Sequence, residues 1–140
     1  MESGYPIEVH REKPMAVGGL VIPLGTDPDE HGHMYVIILN YVAPLERVDE
    51  AIPAHLQWLD EHYAAGHFLA SGRREPRTGG VILARDMPPE LLAELVAADP
   101  FARLGLAHHE VIRFDPSKCA HELEGLLRPG RVEGRYPHPS

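Results

Sequence analysis

The sequence has 140 residues, enough for one domain, and its 44% hydrophobic and 24% charged residues are typical of a globular protein. The formal net charge of −8 argues against a nucleic-acid-binding protein, which needs a basic surface to neutralise phosphates. No apolar run approaches the ~20 residues of a membrane-spanning helix, and residues 1–6 do not begin a secretory signal. The single cysteine, Cys119, excludes an intramolecular disulfide. These features predict a cytoplasmic protein with neither nucleic-acid nor membrane partners.

The middle of the chain has a regular apolar pattern, and both ends differ from it in composition. Residues 1–33 are rich in Pro, Gly and acidic residues, and we expect an N-terminal extension or arm. Within it, the short apolar run at residues 17–24 predicts an extra β-hairpin or strand. The patterned domain spans residues 34–116. Residues 117–140 are expected to form a C-terminal helix and a flexible tail, with the helix predicted over residues 116–127.

The patterned domain begins with a strand and a helix. Residues 35–42 are β-branched and aromatic, and are apolar on both alternating faces except at Asn40, so both faces of this strand should be covered. The following segment carries apolar side chains at helical spacing, namely Val48, Ile52, Leu56, Leu59 and Tyr63. This spacing predicts an amphipathic helix over residues 46–65 that ends at Gly66. Pro53 predicts a kink or a new helix start inside it.

The rest of the patterned domain predicts three more strands and a second helix. Residues 68–71 and 81–85 read as two short strands joined by a Gly- and Arg-rich loop. Residues 90–98 predict a second helix, and residues 108–114 predict a fourth strand. The order βαββαβ predicts an α+β, ferredoxin-like fold.

The predicted sheet has a face that its own helices do not cover. Two helices cover only one face of a four-stranded antiparallel sheet, yet the first strand is apolar on both. A second copy packed sheet to sheet is the simplest cover, which predicts a homodimer. The alternative is that residues 1–33 fold over the open face.

His55 is a candidate for proton transfer. With Val48 set at 0° on a helical wheel, the apolar positions fall between about 0° and 80° and His55 falls near −20°, at the sheet-facing edge. One interpretation is a partly buried histidine bonded to a backbone carbonyl; the other is a general base or acid. Such a base needs an acceptor on its other nitrogen. Asp99 is a candidate, although it suits a helix end equally well, and spacing leaves open whether the two residues meet.

Several segments together resemble the YciI-like (YCII-related) family. They are PAHL at residues 53–56, LASG at 69–72, RTGGVILA at 77–84, ADPF at 98–101 and GL at 105–106. Their order and spacing agree over residues 34–116. The resemblance implies a dimeric α/β barrel of ferredoxin-like protomers. It also implies a site in which His55 pairs with Asp99.

The resemblance also suggests a class of reaction. One branch of the family is associated with dehydrochlorination of a chlorinated hydroxyhydroquinone, and the wider superfamily includes muconolactone-isomerase-like enzymes. It therefore implies a cofactor-independent lyase or isomerase acting on a small oxygenated ring, with His55 as base or acid and Asp99 orienting it. Ser71, Gly72, Arg77 and Phe101 are the expected substrate-binding residues. The alternative is a non-catalytic dimeric small-molecule-binding or accessory module in which His55 and Asp99 form a structural hydrogen bond.

Two further features concern charge and metal. Arg73, Arg74 and Arg77 lie in one hairpin loop, where an anionic substrate or a phenolate would be held; a solvated loop is the expected role of Arg73 and Arg74. Ten histidines raise the question of a metal. His108 and His109 are strand neighbours and point to opposite faces, and no zinc-site spacing of Cys and His occurs. We expect neither a functional metal nor a cofactor.

Overall fold

The computed structural model of the protein describes residues 15–17, 20–22 and 32–127. Most of the expected arm at residues 1–33, and the expected tail beyond residue 127, lie outside the described residues. The domain boundaries at residues 33 and 116 stay predictions.

Strands and helices alternate in the predicted order. The described strands are β1 (Met15–Val17), β2 (Leu20–Ile22), β3 (Met34–Tyr41), β4 (Phe68–Arg73), β5 (Gly79–Arg85) and β6 (Ala107–Phe114). The described helices are α1 (Leu45–Ala64), α2 (Pro89–Ala97), α3 (Pro100–Arg103), a 3₁₀ turn (His121–Leu123) and α4 (Glu124–Leu127). From β3 to β6 the order is βαββαβ, apart from the extra turn α3, and the predicted α+β, ferredoxin-like fold is confirmed.

The main sheet is antiparallel throughout, with strand order β4-β5-β3-β6. β3 is central, and Ile37 faces Ile82 of β5 on one side and Val111 of β6 on the other. Alternate residues of β3, namely Tyr35, Ile37 and Leu39, are fully buried against the helices. β3 pairs with a strand on each edge and packs against the helices on one face. It therefore fixes the positions of β5 and β6, and of the residues next to them, relative to the helices.

The opposite face of the sheet is apolar but less well covered. Val36 and Ile38 of β3 are half-buried there, while Ile112 and Phe114 of β6 are exposed. Val36 lies directly beside Ile112 in the ladder, so these two side chains form an apolar surface, and Ile38 lies beside the exposed Glu110 at its end. We call Val36, Ile38, Ile112 and Phe114 the open face.

Helix α1 runs without a break through Pro53. The predicted new start at this residue is therefore wrong. Proline removes the hydrogen bond to the carbonyl four residues earlier, that of Asp49. Both Asp49 and Pro53 are exposed, so water can satisfy this carbonyl and the helix continues.

The buried side of α1 is displaced from the predicted one. Leu56 is 52% exposed, whereas Ala51 and Trp58 are buried. Trp58 also donates its indole N–H to the carbonyl of Leu95, at 2.9 Å. Ala51 and Trp58 lie on the far side of Val48 from Leu56, so the centre of the buried arc moves towards His55. This histidine is thus nearer the middle of the packed face than the leucine pattern indicates.

The chain ends add two short features. β1 and β2 pair as antiparallel strands, which agrees with the predicted extra hairpin, and the backbone of β2 lies beside β6 and α2. Regular structure near the other end begins only at His121, not at residue 116, because residues 116–120 include no large apolar side chain to bury. None of the described helices combines the length and the apolarity needed to cross a membrane.

Candidate active site

Asp99 occupies the junction between α2 and α3 and caps α3. Its carboxylate Oδ1 accepts the backbone N–H of Phe101, at 3.0 Å. Aspartate is favoured at this position because it satisfies a backbone donor that the first helical turn leaves free. The side chain is completely buried. The local sequence therefore holds a carboxylate inside the protein in a fixed orientation.

His55 approaches this carboxylate from α1. Its Nδ1 lies 2.7 Å from Asp99 Oδ1, and its side chain is 13% exposed. Its ring stacks on that of Phe101, with 4.0 Å between ring centroids and 6° between planes. Because a carboxylate accepts, Nδ1 carries the proton and donates, which leaves the lone pair of the neutral ring on Nε2. No described residue hydrogen-bonds to this Nε2.

A second histidine holds the other oxygen of the same carboxylate. His109 Nε2 lies 2.8 Å from Asp99 Oδ2, and the His109 side chain is 3% exposed. His109 belongs to β6, and its neighbour His108 is exposed, so the predicted opposite orientation of the two is confirmed. No role for His109 was predicted from the sequence. The strand alternation, which places His109 on the face of buried Val111, was the available signal.

These contacts set the charge of Asp99. Burial by itself would raise the pKa of the carboxyl group, because it penalises the charged form. The hydrogen bonds and charges of His109 and His55 outweigh burial and hold the pKa of Asp99 below its usual range. Asp99 is therefore ionised at neutral pH, and a neutral His55 backed by this carboxylate is suited to accept a proton at Nε2.

A pocket of about 240 Å³ opens beside His55, between α1 and the strands β3, β4 and β5. Its lining residues are Leu39, Tyr41, Ile52, His55, Leu56, Leu59, Ser71, Gly72, Arg73, Gly79, Gly80, Val81, Ile82 and Phe101. Four of the predicted site residues, His55, Ser71, Gly72 and Phe101, are among them. Asp99 lies behind His55 and Phe101, out of the pocket.

Arg77, the remaining predicted site residue, does not line the pocket. Its guanidinium pairs with Asp49 of α1 and lies over the ring of Tyr41, 5.9 Å from its centroid. The hydrogen bond from Arg77 to Asp49 raises the arginine pKa further above its usual value. Arg77 therefore touches the site through Tyr41, whose ring is part of the pocket wall.

Two polar groups and a close backbone contact shape the pocket wall formed by β4 and β5. Ser71 Oγ hydrogen-bonds to Tyr63 Oη across to α1, at 2.7 Å. In β5, a Cβ on Gly79 would lie 1.8 Å from the carbonyl oxygen of Leu39. Only glycine therefore permits β5 to approach β3 this closely. Gly80, which pairs with Leu39 and shares its helix-facing side, also leaves space where a side chain would otherwise fill the pocket.

A second pair of histidines lies at the end of α1. His62 Nδ1 and His67 Nδ1 are 3.0 Å apart. Burial, and then the neighbouring His67, lower the pKa of His62. Among the residues that the structure describes, no three His, Cys, Asp or Glu side chains are grouped to hold a metal ion.

Comparison with known proteins assigns the chain to a family. The model of the YCII-related domain matches residues 34–115. The solved structure of 5-chloro-2-hydroxyhydroquinone dehydrochlorinase (TftG) from Burkholderia phenoliruptrix AC1100, in complex with 2,5-dihydroxybenzoquinone, matches with a TM-score of 0.52 and 19% identity, covering 59% of this chain and 93% of that one. At this identity the likeness is one of fold. No curated protein has a significant sequence match. Because the family model spans more than half of the sequence, the chain belongs to the family of proteins with a YCII-related domain.

Proposed function

We propose that the protein is a cofactor-independent lyase or isomerase that moves a proton on a small oxygenated ring substrate. The observation that carries this proposal is the 2.7 Å hydrogen bond between His55 Nδ1 and Asp99 Oδ1 beside a pocket of about 240 Å³. It leaves the basic Nε2 of His55 available to a ligand in that pocket. The fold shared with a dehydrochlorinase is in keeping with this chemistry.

In the proposed reaction, His55 Nε2 removes a proton from a ring hydroxyl or a ring carbon. The electron pair of the broken bond moves into the ring. In a lyase, a leaving group such as chloride then departs with the electron pair of its own bond, and the imidazolium of His55 releases its proton to water. In an isomerase, His55 returns the proton to a different carbon. Asp99 stabilises the imidazolium that forms between these steps, because its carboxylate accepts the hydrogen bond from Nδ1.

The other predicted site residues have supporting roles in this proposal. Phe101 presents its ring face to His55 and fixes the plane of the imidazole. Ser71 Oγ and the backbone at Gly72 offer hydrogen bonds to a substrate oxygen. Arg77 acts indirectly, by holding Tyr41 in the pocket wall.

A non-catalytic binding or accessory module is the second candidate. It is favoured by the three hydrogen bonds on the buried carboxylate of Asp99, which tie α1 and β6 to the turn before α3 whether or not a reaction occurs. A filled space beside His55 would favour this candidate further. The open pocket at His55 favours the enzyme instead.

We further propose that the protein forms a homodimer through the open face. Ile112 and Phe114 are 42% and 38% exposed, and with Val36 and Ile38 they form an apolar surface that the described helices leave uncovered. Burying such a surface against a second copy removes it from water. Analytical ultracentrifugation of the wild type and of Ile112→Glu tests this; a monomeric wild type would contradict it.

The proposed reaction is tested by comparing His55→Ala with His108→Ala, an exposed histidine of β6. Catechols, hydroxyquinols, their chlorinated forms and lactones are incubated in deuterium oxide, and product formation and deuterium uptake are followed by NMR. We expect His55→Ala to lower the rate on the accepted substrate about 10²- to 10⁴-fold, as loss of a general base does, and His108→Ala to leave it unchanged. Equal rates in wild type and His55→Ala would overturn the enzyme proposal. If His55→Ala lowers the melting temperature and no compound reacts, the accessory module is favoured.

A further inference from the structure

The side chains that line the pocket include a cation and no carboxylate. Its lining residues include one arginine, Arg73, and one histidine, His55, but no aspartate or glutamate. This contrasts with the whole chain, whose formal net charge is −8. Much of the remaining wall is aliphatic, so a charge inside the pocket is screened less than at an open surface. The one permanently charged side chain among the lining residues is therefore that of Arg73, while the ionised carboxylate of Asp99 lies behind His55, out of the pocket.

The direction of Arg73 follows from its strand. Ser71 of β4 reaches Tyr63 of α1, so its side chain lies on the helix side of the sheet. Arg73 is two residues further along the same strand and emerges on the same side. Its partner in the ladder is Gly80, which has no side chain to occupy the space in front of it. Arg73, an exposed residue, thus lines the pocket from the helix side of the sheet.

The three arginines of this hairpin differ in what they contact. Arg74 donates to the side chain of Asn40, at 2.7 Å, and Arg77 pairs with Asp49. Among the residues that the structure describes, no carboxylate forms an ion pair with Arg73. Arg73, which the sequence assigned to a solvated loop, is exposed and also lines the pocket, whereas Arg77, the expected substrate-binding arginine, is paired with Asp49.

We propose that Arg73 binds an anionic oxygen group of the ligand, so that the substrate is a small ring compound bearing a carboxylate or an ionised hydroxyl. A planar guanidinium donates two parallel N–H groups to such an anion, which orients the ring as well as holding it. A cavity of about 150 Å³ holds benzene, so a pocket of about 240 Å³ accommodates one ring with a few oxygen substituents. The proposal rests on the proposed function in one respect only, that the ligand occupies the pocket beside His55.

The test uses two probes of nearly equal shape and different charge, 4-hydroxybenzoate and 4-hydroxybenzamide. Binding is followed by NMR titration of the backbone amides of β4 in the wild type, in Arg73→Gln and in Arg74→Gln as the matched control. We expect the wild type and Arg74→Gln to bind the benzoate about tenfold more tightly than the benzamide, and Arg73→Gln to bind both alike. Added salt should reduce the preference in the wild type.

A second probe pair separates the two kinds of anion. 2,5-Dihydroxybenzoquinone has acidic ring hydroxyls, and its dimethoxy ether has none. If the wild type binds the benzoate more tightly than the benzamide, but the dihydroxyquinone no more tightly than its dimethoxy ether, the group that Arg73 binds is a carboxylate. The reverse result indicates an ionised hydroxyl.

The outcomes that overturn the proposal are distinct from failure of the proposed reaction. Equal binding of the charged and neutral members in both pairs, or no binding of any probe up to roughly 10 mM, would overturn the role of Arg73. Loss of the preference in Arg74→Gln as well would do the same. His55→Ala should retain the preference for anions while losing turnover. A protein that prefers anions but turns over no compound would therefore keep the Arg73 site and lose the enzyme proposal.

Discussion

Asp99 and His109 share a 2.8 Å hydrogen bond between Oδ2 and Nε2 that is almost wholly shielded from water, with side-chain exposures of 0% and 3%. The bond joins β6 to the turn before α3. It also supplies a donor to a carboxylate oxygen that would otherwise be buried without a partner. Because the other oxygen of the same carboxylate holds His55, His109 fixes the orientation of Asp99 from the side opposite the pocket.

The first prediction concerns His109→Phe. Phenylalanine fills a similar volume but cannot donate to Asp99 Oδ2, so a buried charge loses one hydrogen bond. We expect the free energy of unfolding to fall by about 1–3 kcal/mol, measured by urea denaturation. His109→Gln, which retains an N–H donor, should lose less. If His109→Phe and His109→Gln are equally stable, the hydrogen bond makes no net contribution.

Much of the fold follows from the sequence because its signals are local. The apolar run of β3, the helical spacing in α1 and the proline and glycine positions between elements each act over a few residues. The contact of Asp99 with His109 could not be derived in this way. It depends on the register of β6 against β3 and on how α2 packs, and both are set by the whole core.

Two other differences between the structure and the predictions from the sequence have physical causes that local residue patterns do not contain. The buried arc of α1 is centred nearer His55 because Trp58 finds a hydrogen-bond partner in Leu95, which the leucine spacing did not reveal. Two of the loop arginines also contact partners that are distant in sequence, Asn40 in the case of Arg74 and Asp49 in the case of Arg77. Such pairings arise only once the hairpin is folded against β3 and α1.

The second prediction concerns acid stability and Asp99. Its pKa is lower in the folded protein than in the unfolded chain, so its contribution to stability is fully present above about pH 4 and is lost as the pH falls through the folded pKa. Asp99→Asn lacks this titration. We expect it to melt well below the wild type at neutral pH, with the gap narrowing under acid conditions. Melting curves between about pH 7 and pH 3 measure this gap, and a gap independent of pH would contradict the assignment.

The third prediction concerns His62. Burial, and then His67, lower its pKa in the folded protein, so the unfolded chain binds the proton more readily. The stabilisation is therefore complete above about pH 6.5 and is lost as the pH falls below that value. In His62→Gln we expect a smaller loss of melting temperature than in the wild type on going from about pH 7.5 to about pH 5.5. His108→Gln, at an exposed site, should follow the wild type; equal slopes in all three proteins would refute the prediction.

The fourth prediction compares two glycines of the pocket wall. A Cβ at Gly79 would lie 1.8 Å from the carbonyl oxygen of Leu39, whereas a Cβ at Gly72 would have no atom within 4 Å. Gly79→Ala must therefore push β5 away from β3, and we expect a loss of on the order of 2–4 kcal/mol in the free energy of unfolding. Gly72→Ala should change it by less than about 1 kcal/mol. Urea denaturation of both variants measures these values, and equal losses would mean that the close approach of β3 and β5 does not limit the residue at position 79.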